Sequence, residues 1–173
     1  MGKNKTKMLV EAGIFMAMAH VLSFIILYEM PQGGSVNAAA IAPLLFFSFR
    51  WGGKNGVVMA TTYGLLHFLI GAKYTLHPLS VVLDYLLGYG VLGLVGLADK
   101  RVKSALVATM VVCLLRWCSS VVSGALIFAA YAPLGENPWI YSMAYNTAYL
   151  LPESLLVFLV VAKFYRKIVC FNQ

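Results

Sequence analysis

The sequence predicts an all-α integral membrane protein, six transmembrane helices forming a single domain over residues 1–173 with both termini cytoplasmic. Three observations carry this. The chain is 61% hydrophobic and 11% charged, with a mean hydropathy of +0.83, whereas a soluble domain carries about 25% charged residues. Its apolar residues fall into six runs, and crossing the hydrocarbon takes roughly 20 apolar residues per helix. Its basic residues gather at alternating ends of those runs, the mark of cytoplasmic loops.

The first run, residues 8–28, follows Lys3, Lys5 and Lys7. It imitates the start of a signal peptide, yet it is long enough to span and no small-residue cleavage site ends it cleanly. The second, 36–50, is short and contains Pro43, which predicts a tilted, broken or incompletely spanning helix. The remaining runs are 55–71, 78–98, 104–131 and 139–163. Arg50 and Lys54 follow the second run, Lys100, Arg101 and Lys103 the fourth, and Lys163, Arg166 and Lys167 close the sixth. With the N-terminal lysines, eleven basic residues share one side, against Lys73 alone on the other and Arg116 inside the fifth run.

This distribution accounts for the +7 net charge without nucleic acid, which calls for a basic stripe interleaved with aromatics. Cys113, Cys118 and Cys170 form no CxxC pair and read as packing residues. No linker, charge block or internal repeat divides the chain. Gly53-Lys54 lacks the Ser/Thr and the first glycine of a P-loop, so the chain carries no ATP site of its own. Gly88-Tyr-Gly-Val-Leu-Gly93 matches GxGxxG but lies in an apolar helix and follows no strand, so it reads as a small-residue packing surface. His20, His67 and His77 sit on three segments without HExxH, and Ser119, Ser120 and Ser123 have no base beside them. The expectation is no enzyme, no metal and no cofactor.

One residue stands against the apolar background. Asp84 lies within the run His77-Pro-Leu-Ser-Val-Val-Leu-Asp-Tyr, flanked by Tyr74, Tyr85 and Tyr89. An ionisable group in the bilayer marks function, and a carboxylate among aromatic faces suits an organic cation. Asn146 lies at the same depth, seven residues inside its helix start and hence roughly 10 Å deep. Its amide can read a heterocycle edge, and Tyr141 on the same helix can stack on a ring. Phe128, Tyr131, Trp139, Tyr145 and Tyr149 enrich this outer half further, and His77 at the start of the fourth run is a candidate for the mouth of the site. Arg116 and Glu153 level near mid-membrane and are expected to form a structural ion pair, with Pro152 beside it. Gly13-x-x-x-Ala17, with Ala12 and Ala19 alongside, makes helix one smooth enough for close approach, within the fold or to a partner. A binding subunit and an autonomous cation- or proton-coupled transporter both fit these residues.

Three segments together resemble a known family, the thiamine-specific S-components (ThiT family) of energy-coupling factor (ECF) vitamin importers. They are Pro31-Gln-Gly-Gly-Ser-Val36, Tyr74-Thr-Leu-His-Pro78 with Leu83-Asp-Tyr85, and Ser123-Gly124 through Tyr131-Ala-Pro133 to Tyr141-Ser-x-x-Tyr-Asn146. The resemblance implies a small six-helix subunit of the bacterial plasma membrane that captures thiamine outside and delivers it by toppling. It implies partners, a transmembrane coupling protein carrying two ATPase subunits, docked through Gly13 and Ala17. It places Asp84 opposite the thiazolium with Tyr85 beside it, and Tyr74, Tyr63, Tyr141 and Asn146 in the vitamin pocket. Gly33, Gly34 and Ser35 become the gating loop. Where some members carry a His on helix five, a Trp after the Gly124 position and a Trp in the first loop, this chain has Ser120, Phe128 and Gly34. Lys73 is the one cation expected on the outer side, which disfavours phosphate esters.

Overall fold

The computed structural model describes residues 2–71, 76–133 and 135–169. Six helices form it: α1 (Gly2–Ser23), α2 (Ala42–Trp51), α3 (Gly53–Ile70), α4 (Pro78–Leu97), α5 (Val102–Ile127) and α6 (Pro138–Val169). Four of them, α1 and α4 to α6, are long and apolar enough to cross a membrane.

The first two runs depart from expectation. Helix α1 ends at Ser23, whose hydroxyl donates to the His20 carbonyl at 2.7 Å, and the rest of the run becomes strand β1 (Ile26–Glu29). It pairs antiparallel with β2 (Ser35–Asn37), Tyr28 opposite Val36 and Glu29 opposite Ser35, with an irregularity between Ile26 and Tyr28. Hydropathy saw one apolar stretch, but Ile25-Ile-Leu-Tyr28 is β-branched and aromatic, a composition that suits a strand. The second run is divided likewise between β2 and α2. Pro43 stands in the first turn of α2, where its missing N–H has no helical partner to lose. At ten residues, α2 is about 15 Å long and falls short of the roughly 30 Å hydrocarbon. It does not face lipid: residues Ala42 through Phe49 are buried, touching α1, α3, α4 and α6.

Helix α4 is irregular along its whole length. An α-helical turn at Pro78–Ser80 leads into a π-helical segment, Val81–Leu87, then a second α turn at Gly88–Gly90 and a 3₁₀ segment, Val91–Leu97. Its Gly-rich half lies backbone to backbone on α3: a Cβ on Gly93 would collide with the Val57 amide, and one on Gly64 of α3 with the Tyr85 carbonyl. The GxGxxG run is thus a packing surface, as its apolar setting predicted.

At the end of α2 that carries Arg50, Glu11 of α1 accepts from Arg50 Nη2 at 3.1 Å and from Trp51 Nε1 at 2.7 Å. This is the one salt bridge among the described residues. Gly13 and Ala17 of α1 point away from the bundle, with nothing within 4 Å of a Cβ placed on Gly13, while Ala12 and Ala19 pack inward.

Candidate functional site

The π-helical stretch positions the central carboxylate. Widening one turn re-aims side chains, and such segments are common at functional sites. Asp84 accepts hydrogen bonds through Oδ2 from Ser80 Oγ at 2.7 Å, one helical turn earlier, and from Ser123 Oγ of α5. Ser119 Oγ donates to the Leu83 carbonyl at 2.6 Å, a second donor beside the Gly88 N–H. The serine row on α5 is therefore a polar seam against α4.

Asp84 opens into a cavity walled by α3 to α6 and roofed by the β1–β2 hairpin. Tyr85 and Tyr89 of α4, Ser120, Gly124 and Phe128 of α5, and Tyr141, Tyr145, Asn146 and Tyr149 of α6 line it. The α6 tyrosines recur every four residues, so one helix face presents them in a row, Tyr141 to Tyr145 at 6.1 Å and Tyr145 to Tyr149 at 5.9 Å between ring centroids. Gln32, Gly33, Gly34, Ser35 and Asn37 supply the roof, and the Gln32 N–H donates to Tyr145 Oη at 3.0 Å.

Asn146 is 5% exposed and hydrogen-bonded at both ends of its amide. Its Nδ2 donates to the Ser142 carbonyl at 2.9 Å, Ser142 Oγ at 3.2 Å and the Ser120 carbonyl at 3.4 Å, while Oδ1 accepts from Tyr149 Oη at 2.8 Å. Carbonyl oxygens only accept, so these partners settle which amide atom is nitrogen. What Asn146 leaves available is the second lone pair of Oδ1, an acceptor, and not the donor-acceptor pair its residue type offered.

Buried polar groups are normally hydrogen-bonded. Among the described residues four buried polar side-chain atoms lack a hydrogen-bond partner, and three belong to side chains lining this cavity: Arg116 Nη1, His67 Nδ1 and Gln32 Oε1. The fourth is His20 Nε2, behind His67 with ring centroids 5.8 Å apart. Polar atoms left over around one cavity are those a polar ligand would complete.

Several expectations need correction or completion. Arg116 and Glu153 are not in ion-pair contact. Arg116 turns toward the cavity, its Cζ 4.3 Å from the Tyr89 ring centre, while Glu153 is buried, near enough to act on Arg116 electrostatically but beyond salt-bridge distance. Arg116 is also a cation the outer-side reckoning omitted, which removes the ground for disfavouring phosphate. Tyr63 is 1% exposed and lies behind the wall, stacked on His67 at 5.7 Å. His77 caps α4, its Nδ1 accepting from the Leu79 N–H at 3.3 Å, and is not among the lining residues. Tyr74, Lys73 and Cys170 lie outside the described residues. Asp84, Tyr85, Ser120, Gly124, Phe128, Tyr141 and Asn146 meet at one cavity, with Gly33, Gly34 and Ser35 over it. Sequence reasoning did not place Ser80, His67 or Arg116 at the cavity, and it did not see that the first loop is carried on a strand hairpin. The four-residue spacing of Ser80 and Asp84 was the available signal for the first.

A bundle of apolar helices enclosing a polar cavity, with one carboxylate among tyrosines, defines a multi-pass membrane protein. The chain belongs to the family described as thiamine transporter protein (Thia_YuaJ), which it matches over residues 9–172. It is 34% identical over 176 residues to thiamine transporter ThiT of Bacillus subtilis, covering 91% of each chain. Its identity to thiamine transporter ThiT of Lacticaseibacillus paracasei is 25% over 173 residues, covering 88% of this chain and 84% of that one. The solved structure of ThiT from Listeria monocytogenes superposes with a TM-score of 0.84 at 25% identity, covering 95% and 96% of the two chains. The fold is that of an ECF S-component, and the protein is a multi-pass component of the cell membrane. The family and its relatives are named as transporters, not as enzymes.

Proposed function

We propose that this chain is the thiamine-binding S-component of an ECF importer, taking thiamine from outside the cell and delivering it with a coupling protein and two ATPase subunits. The observation that carries the reading is Asp84, a cavity-lining carboxylate whose direct hydrogen-bond partners are two serine hydroxyls. Hydroxyl donors favour the ionised carboxylate without pairing its charge, which suits Asp84 to a cationic ligand. Tyrosine and phenylalanine rings around it supply faces for a thiazolium and an aminopyrimidine. Asn146 Oδ1, held as an acceptor, suits the exocyclic amino group of that pyrimidine. Arg116 Nη1 and His67 Nδ1 remain for the ligand's other polar atoms.

The partnered mode is favoured over an autonomous transporter by α1. Leu9, Val10, Ile14, Met18 and Val21 are exposed on the helix that turns Gly13 and Ala17 outward, a smooth face suited to another helix. The test is thiamine uptake into liposomes holding this chain alone or with the coupling protein and ATPases. Uptake that requires the module and ATP, and is lost in Gly13→Leu while thiamine binding persists, is the expected result. ATP-independent uptake driven by a proton gradient in the chain alone would overturn the reading.

A further inference from the structure

The hairpin touches α6 at a residue that also orients Asn146. Gly33 has φ of 94°, and the turn is closed by the Gly33 N–H to the Met30 carbonyl at 3.0 Å and the Met30 N–H to the Gly34 carbonyl at 2.6 Å. This lays Gly34 flat on the Tyr149 ring, where a Cβ would sit 2.6 Å from both Cδ1 and Cε1. No side chain fits between them. The same ring carries the hydroxyl that donates to Asn146 Oδ1 at 2.8 Å. Tyr149 therefore has the lid on its face and the amide at its tip, and a tyrosine ring is rigid between the two.

The geometry points to Tyr149 as a positioning residue that couples the seating of the lid to ligand selection: with Gly34 on its ring it holds Asn146 Oδ1 as an acceptor toward the cavity. A lid that lifts frees the ring, and the ring's hydroxyl then releases the amide. Gly34 is the specificity-determining position on the lid because only a residue without a side chain lets the ring stay in place. Tyr145, through the Gln32 N–H, ties the hairpin a turn earlier on α6 and leaves Tyr149 as the link to Asn146. The proposal rests on the thiamine reading only for the choice of ligands in its second test.

The first test needs no ligand. Asparagine-selective ¹⁵N labelling of the detergent-solubilised protein gives six side-chain amide signals at most, and Asn146→Ala identifies that of Asn146. Both Tyr149→Phe and Gly34→Ala are expected to shift it, although Gly34 lies on the hairpin, and the double variant is expected to match Tyr149→Phe alone. A signal that Gly34→Ala leaves in place would overturn the coupling, as would one indifferent to Tyr149→Phe. Should Gly34→Ala fail to fold, Tyr145→Phe unlatches the hairpin without adding bulk and must shift the same signal. The second test compares thiamine with oxythiamine, in which oxygen replaces the pyrimidine amino group. Tyr149→Phe is expected to narrow the wild-type preference for thiamine about five- to tenfold, the loss of one oriented hydrogen bond. Unchanged preference with thiamine still bound would overturn the role of Tyr149. A wild type that binds neither compound would overturn the thiamine reading and leave the labelling test to decide the coupling.

Discussion

Replacing Asp84 with Asn removes a charge while keeping nearly the same shape, and the two serines make its effect calculable. In the wild type, Oδ2 accepts from both Ser80 and Ser123. An amide oxygen in the place of Oδ2 has two lone pairs and can still accept from both hydroxyls, so the fold is expected to survive. The cation loses more. Two unit charges about 4 Å apart interact by about 4 kcal/mol at an effective dielectric near 20. Stripping water from the cation and the carboxylate offsets roughly half of that. The remaining 2 kcal/mol or so corresponds to about thirtyfold weaker thiamine binding. The assay is calorimetric titration with thiamine beside the uncharged aminopyrimidine alcohol that lacks the thiazolium ring, together with the ligand-free melting temperature. Thiamine affinity should fall by this factor, affinity for the neutral fragment should hold, and the ligand-free protein should melt no lower than wild type, since a partly buried charge no longer has to be held out of water. Equal losses for both ligands, or a lowered melting temperature, would refute the counter-ion reasoning and make Asp84 a structural residue.

Other consequences follow from the same geometry. Protonating Asp84 neutralises it, so wild-type thiamine affinity should decline on acidification; in Asp84→Asn the decline should shrink, and an undiminished decline by titration at several pH values would point to His67 instead. Gly64→Ala places a methyl group against the Tyr85 carbonyl, an overpacking that costs about 1–3 kcal/mol and moves the cavity wall, to be read as a lower melting temperature and weaker thiamine binding. Arg116→Gln should weaken thiamine monophosphate more than thiamine, because Arg116 is the guanidinium on the cavity wall; parallel titrations with equal losses would place Arg116 in the wall alone.

The membrane class and most helix positions were legible in the sequence because hydropathy and the placement of Lys and Arg respond to the bilayer directly, whatever the packing. The runs at 78–98 and 139–163 lie within a few residues of α4 and α6 save for the C-terminal extension of α6. Hydropathy cannot tell a strand from a helix, and the hairpin hid within two apolar runs, although Pro31-Gln-Gly-Gly between β-branched segments is a turn signal. Asp84 and Asn146 were legible because polar groups at that depth demand partners. The partners were not, since they depend on helix rotation. The π-helical widening at Val81–Leu87 turns Asp84 toward Ser123, and Arg116 faces Tyr89 instead of Glu153. Likewise Tyr63 and His67, one turn apart on α3, differ in fate: His67 reaches the cavity and Tyr63 stacks behind it. Depth can be counted along the chain, whereas facing is decided by the neighbours.

The central claim is that the cavity beneath the hairpin takes thiamine, and titration calorimetry of the purified protein in detergent tests it most directly. One thiamine bound per chain, at micromolar or tighter affinity and not displaced by excess riboflavin, is the predicted result. Absence of binding by protein that melts cooperatively would contradict it, leaving the six-helix fold in place and its cavity open to another organic cation.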